Sequence, residues 1–166
     1  MNNILPSDYQ TFIAMSRYAK WLPEESRRES FIETVGRYIT NVVEPVADDV
    51  EVTKEIEESI INLEVMPSMR AMMTAGKASE RDSTCTYNCS YLPVDDPKSF
   101  DEAMFILLCG TGVGFSVERQ FVCKLPEVPD QLFKSDTTIV VRDSKEGWAK
   151  AYRQLLSLLW AGEIPK

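Results

Sequence analysis

Histidine is absent from this chain of 166 residues, and with it go the commonest general base, the usual zinc ligand and any triad built on an imidazole. Chemistry here must use cysteine, carboxylates, Ser/Thr or the backbone. A basic excess is missing too: 18 Lys+Arg face 26 Asp+Glu, a formal net charge of −8 with a pI near 4.7. No whole-chain positive field exists to hold a polyanion, so neither nucleic acid nor a membrane surface is expected as a partner. No apolar run approaches the ~20 residues that span a bilayer. The start, Met1-Asn2-Asn3-Ile4-Leu5-Pro6, has neither the basic nor the apolar region of a signal peptide, and a cytoplasmic protein is the expectation. There is no Cys-x-x-Cys, no internal repeat and no low-complexity segment. In a reducing compartment Cys85, Cys89, Cys109 and Cys123 read as buried, metal-binding or redox-active thiols rather than a disulfide framework. A Cys-x3-Cys pair followed by two single cysteines is a poor zinc pattern, and no metal site is assigned.

What is present suits a packed core: 44% of the residues are hydrophobic, and a single globular unit is the starting expectation. Ser7, with Gln10 placed to reach back, predicts a helix start, and Pro23 a stop, so a first helix is expected to about Trp21. A second is expected from near Glu24 to Pro45, with Phe31, Val35, Ile39 and Val42 on one apolar face. A third, short and acidic, turns Ile56, Ile60 and Leu63 inward. Residues 1–64 thus read as an all-helical subdomain, and residues 65–166 as an α/β region. In the latter, Lys77 to Thr84 reads as a surface loop. Thr86 to Val94 reads as a strand, and Asp96-Pro97 as the start of a helix that is apolar nearly all round until Gly110 ends it. Val113, Phe115 and Val117 alternate as a strand, and Thr137 to Val141 is a further strand candidate. Asp143 with Glu146 caps a last helix whose stripe is Trp148, Tyr152, Leu155, Leu156 and Leu159. Strand, helix, strand, strand, helix is the opening of a larger parallel structure.

Among the residues able to carry chemistry, Cys89 stands out between Asn88 and Ser90 on its strand. A strand thiol in a cleft can give up electrons by forming a disulfide with a second thiol; the competing reading is a buried cysteine acting as a small hydrophobe. Cys109 reads as core, and Cys123 has no pattern around it. Gly110-Thr111-Gly112-Val113-Gly114 lies between a helix and a strand, the reverse of the strand–loop–helix order of nucleotide motifs. Its glycines fit a tight turn and close backbone approach to a ligand or strand. Met66 to Met73 reads as packing filler, and Arg27-Arg28 and Glu55 to Glu58 as solvated faces.

Several blocks, in order along the chain, resemble the adenosylcobalamin-dependent (class II) ribonucleotide reductases. They are Ser16-Arg17-Tyr18-Ala19-Lys20-Trp21-Leu22-Pro23, Met66-Pro67-Ser68-Met69-Arg70-Ala71, Tyr87-Asn88-Cys89-Ser90-Tyr91, Gly110 to Phe115 and Asp143 to Trp148. The resemblance implies a ten-stranded α/β barrel, of which this chain holds a helical N-terminal subdomain and the first strands and helices. In such a barrel a ribonucleoside triphosphate loses its 2′-hydroxyl by radical chemistry initiated by adenosylcobalamin. A pair of cysteines delivers two electrons and is later reduced by a thioredoxin-like donor. Cys89 matches the first member of that pair. By the same resemblance Ser68, Asn88 and Gly110 are substrate-contacting positions, for phosphate, the ribose side and the base side. Asp96 and Arg119 fall near positions that bind a deoxynucleotide effector. The radical cysteine, the second redox cysteine and most cobalamin contacts belong to later strands. The expectation is therefore the N-terminal portion of a reductase from a split or truncated gene, needing the remaining C-terminal portion for activity. A non-catalytic nucleotide-binding relative and a gene remnant are the alternatives.

Overall fold

The capping pair expected at the start of the chain is in place in the computed structural model, which describes residues 5–166. Ser7 Oγ accepts the Gln10 N–H at 3.3 Å and opens α1 (Asp8–Ile13). The helix widens into a π turn over Ala14–Tyr18, closed by the Ala19 N–H on Ala14 O at 3.0 Å, and it stops short of Trp21. The stretch expected to enter a second helix at Glu24 is instead a small antiparallel hairpin, β1 (Trp21–Leu22) and β2 (Arg27–Arg28), with Trp21 opposite Arg28. Pro23 cannot donate to a helix, and Ser26 takes a left-handed φ of 51°, so the local turn wins over the helical propensity of the glutamates.

The second helix, α2 (Phe31–Tyr38), begins where a full capping box allows. Glu33 N–H donates to Ser30 Oγ, and Ser30 N–H to the Glu33 carboxylate at 2.6 Å. It too passes into a π turn, Ile39–Val43. The extra residue per turn shifts the apolar face by one position, so Val43 rather than Val42 is buried with Val35 and Ile39. α3 (Val50–Ile61), capped by Asp49, adds Ile60, and α4 (Met69–Thr74) adds Met72. The expected loop after it is largely helical: α5 (Lys77–Arg81) and a 3-10 turn at Ser83–Thr86. Ser79 Oγ accepts the Gly76 N–H at 3.1 Å, and Asp82 accepts the Thr84 N–H at 2.9 Å. These polar side chains cap short turns rather than line an open loop.

The chain divides into two compact units, Met1–Tyr87 and Asn88–Lys166; in sequence the change of texture falls at Val65. The second unit opens with β3 (Cys89–Pro93), α6 (Lys98–Leu108) and β4 (Gly112–Ser116). β3 and β4 pair in parallel, Cys89 beside Gly112 through Pro93 beside Ser116, so α6 is the crossover of a β-α-β unit. Asp96 supports the helix start as expected, accepting the Lys98 N–H at 2.8 Å. α6 is not buried on all sides, however: Leu107 and Leu108 are exposed while Ser99 and Asp101 are buried. Its buried side holds Asp101 because Arg153 reaches in to pair with it at 2.6 Å from α8 (Lys145–Trp160).

Between these lie α7 (Arg119–Val122) and β5 (Phe133–Lys134), the latter parallel to β6 (Glu163–Ile164). Thr137 to Val141 is not a strand. Among the described residues only Lys166 exchanges backbone hydrogen bonds with it, donating to Thr137 O at 2.8 Å and accepting from Ile139 at 3.3 Å, which is too little ladder to make one. The last helix is capped by Ser144, not Asp143: Gly147 N–H donates to Ser144 Oγ at 3.0 Å. Gly147 is required there, since a Cβ on it would stand 2.2 Å from Arg142 O. No helix of the described residues is long and apolar enough to cross a membrane.

Candidate functional site

In the first unit the Ser68 backbone opens α4, its carbonyl accepting the Met72 N–H at 3.0 Å, while its side chain caps nothing. The hydroxyl therefore remains available on an exposed residue. The far end of α4 is held firmly. Arg37 donates to Met72 O at 2.7 Å, Ala75 O at 3.0 Å and Tyr18 O at 3.1 Å, and forks onto Glu29 at 2.8 and 2.9 Å. Lys20 Nζ also donates to Ala75 O. Burial alone would push the Glu29 carboxyl up; the Arg37 fork, the Lys20 N–H and the Thr34 hydroxyl outweigh it and hold the group below its ordinary value. Burial, with repulsion from Arg37, lowers Lys20. Sequence reasoning missed this network. Its only trace in the sequence is Thr34 and Arg37 interrupting the apolar pattern of α2.

In the second unit, β3 and β4 bring together Asn88, Cys89 and the glycine-rich segment. Asn88 O accepts the Gly112 N–H at 2.9 Å, and Ser90 Oγ donates to Gly112 O at 3.1 Å. Cys89 and Tyr91 share one sheet face with Gly112 and Gly114. A methyl group on Gly112 would lie 3.8 Å from Cys89 Sγ, and one on Gly114 3.9 Å from the Tyr91 ring, so two absent side chains leave this face flat beside an exposed free thiol. The sheet thus presents Cys89 to solvent, where the competing reading had it buried. Gly110, at φ 85°, makes the turn that delivers buried Thr111 and then β4. That backbone conformation favours glycine.

The remaining candidates stand apart from this face in role. One Asp96 carboxylate oxygen is taken by the Lys98 N–H. Arg119 is exposed on the first turn of α7. Of the other thiols, Cys85 and Cys109 are buried and Cys123 is exposed, and none is in a disulfide. Among the described residues no group of three or more His, Cys, Asp or Glu side chains converges.

No family model matches the chain. The chain is similar to adenosylcobalamin-dependent ribonucleoside-triphosphate reductases. It is 25% identical to that of Lactobacillus delbrueckii subsp. bulgaricus over 164 residues, which cover 79% of this chain and 22% of the relative. Against the reductase of Lactobacillus leichmannii it is 24% identical, with the same coverage of each. Against that of Lacticaseibacillus paracasei it is 26% identical over 174 residues, 82% of this chain and 22% of the relative. A crystal structure of a B12-dependent (class II) ribonucleotide reductase matches with a TM-score of 0.71 at 19% identity, over 93% of this chain and 31% of that one. This chain thus spans 22% of the length of the curated relatives it matches.

Proposed function

From its kinship with the adenosylcobalamin-dependent ribonucleotide reductases, we propose that this chain supplies the opening part of a ribonucleoside-triphosphate reductase and one thiol of its reducing pair. The observation that carries the reading is the exposed Cys89 thiol on the flat, glycine-bordered face of β3–β4. In this reading β3 and β4 are the first strands of a ten-stranded α/β barrel, completed by the remaining C-terminal portion. A two-stranded parallel sheet exposing Tyr91 and Phe115 supports it, because parallel sheets occur with further strands at their edges and both faces covered.

Cys89 is the reductant. With a second thiol from the remaining barrel it gives two electrons and two protons to the ribose: the 2′-hydroxyl leaves as water, a C–H bond forms at that carbon, and the two sulfurs close a disulfide. A thioredoxin-like dithiol reopens it. Adenosylcobalamin, held mostly by residues outside this chain, would supply the radical that starts the reaction. Ser68 offers its hydroxyl to phosphate, Asn88 and Gly110 border the ribose and base, and Asp96 and Arg119 contact a deoxynucleotide effector.

Co-expression with a polypeptide carrying the rest of the barrel tests the proposal. A stable complex that reduces ribonucleoside triphosphates only with adenosylcobalamin, and loses turnover with thioredoxin when Cys89→Ser is introduced, is the expected result. Nucleotide binding without turnover, indifferent to Cys89→Ser, would overturn it in favour of a non-catalytic binding module.

A further inference from the structure

Cys109 caps the C-terminus of α6, directly before the Gly110 turn, and is only 8% exposed. Lys145, 36 residues further along, is the first residue of α8; its ammonium donates to Cys109 Sγ at 3.3 Å and stands 5.8 Å from the Phe105 ring centroid. A cation at this position is not explained by the helix it begins, since the N-terminus of a helix favours negative charge. It is explained by what it touches: the ammonium is enclosed between a thiol and the face of a ring. A cation beside a thiol favours the thiolate that a peroxide attacks, and a sulfenic acid condenses with a backbone nitrogen to a sulfenamide, a reaction that the Lys145 amine, in contact with the sulfur, is placed to copy.

We propose that Cys109 and Lys145 form an oxidation-sensitive pair that closes a covalent sulfur–nitrogen bond, a sulfenamide, when the chain meets a peroxide. In the first step the thiol and one hydrogen peroxide give a sulfenic acid and one water. In the second, the Lys145 nitrogen, having lost its extra proton to solvent, attacks the sulfur; hydroxide leaves, takes one of the two N–H protons and departs as a second water, and the sulfenamide nitrogen keeps the other. One peroxide is reduced by two electrons, and the protein loses two hydrogens. Two equivalents of an added thiol reverse the link, releasing the Cys109 thiol and the Lys145 amine and forming the donor's disulfide. The bond would tie the end of α6 and the Gly110 turn to the start of α8. It does not depend on the nucleotide reading, and failure of that reading would leave it standing.

The test is peptide mapping by mass spectrometry of the full chain after stoichiometric hydrogen peroxide, with exposed thiols alkylated afterwards. The expected product joins the Cys109 and Lys145 peptides with loss of two hydrogens, and excess thiol returns both free. Lys145→Arg keeps the charge but should lose the link and leave Cys109 to collect oxygen; Lys145→Gln should lose it as well. Cys109 carrying oxygen while Lys145 stays free in the unsubstituted chain, or Cys109 untouched while Cys89 and Cys123 react, would overturn the proposal.

Discussion

In Met1–Tyr87 the apolar side chains of Val35, Ile39, Val43, Ile60 and Met72, drawn from α2 with its π turn, α3 and α4, are closed off from solvent. In Asn88–Lys166 the most deeply buried residues are instead Thr111 at 1% and Asp101 at 3% exposure, while Phe115, Tyr91 and Leu107 stand more than half exposed. The first unit gains the ~1.5–3 kcal/mol that each fully buried large apolar side chain brings. The second is held by pairings: the β3–β4 ladder, the Asp101–Arg153 ion pair and the Phe100–Trp160 ring contact at 6.0 Å. The first unit closes one apolar cluster on itself, though Tyr9, Phe12 and Val46 remain exposed, whereas the second buries polar residues deepest.

The sharpest break in that comparison comes from the one place where the first unit also relies on charge. Arg37→Ala should leave Glu29 buried without its guanidinium partner, take the Arg37 donors from the Tyr18 and Met72 carbonyls and leave Ala75 O to Lys20 alone. A loss of about 3–5 kcal/mol is expected, read by urea unfolding and by faster hydrogen exchange in α2 and α4 with α8 unchanged. A somewhat smaller loss, confined to the second unit, is expected from Gly147→Ala, because the added methyl meets Arg142 O; overpacking of this kind costs about 1–3 kcal/mol. Here α8 should exchange faster and α2 should not.

Acid should act on the first unit through Glu29. The Glu29 carboxyl lies below its ordinary value in the fold, so its stabilisation is complete above the unfolded pKa of ~4.3 and drains away as pH falls through the folded one. Exchange protection of α2 and α4 should fall over that acid range in the unsubstituted chain. In Glu29→Gln it should already be low and change less. The smallest effect belongs to the open face: Phe115→Ser should shift stability by no more than about 0.5 kcal/mol, since the ring is 64% exposed. If Phe115→Ser destabilised the isolated chain as much as a core truncation, the contrast between the units would be wrong.

Much of the site was legible because its signals are local. Cys89 opens a strand that was expected from Thr86 and begins only after Asn88, and the glycine segment follows the helix it was expected to follow. The Glu29–Arg37 network was not legible. Its acceptors are backbone carbonyls as far away as Ala75, and no side-chain pattern announces a carbonyl. The Cys109–Lys145 contact was hidden for a related reason, since it requires α8 to lie along α6.

The sequence by itself determined what depends on near neighbours, the Ser7 cap, the Asp96 start of α6 and the glycine turn at Gly110, and with them the β-α-β order. Tertiary structure decided where those patterns competed. It turned the stretch after Trp21 into a hairpin, moved the buried face of α2 from Val42 to Val43 through a π turn, and left Thr137 to Val141 without a ladder. The physical reason is that a cap satisfies its donors within one turn of chain. A strand, a buried charge or an apolar face is settled only by the distant partner that covers it.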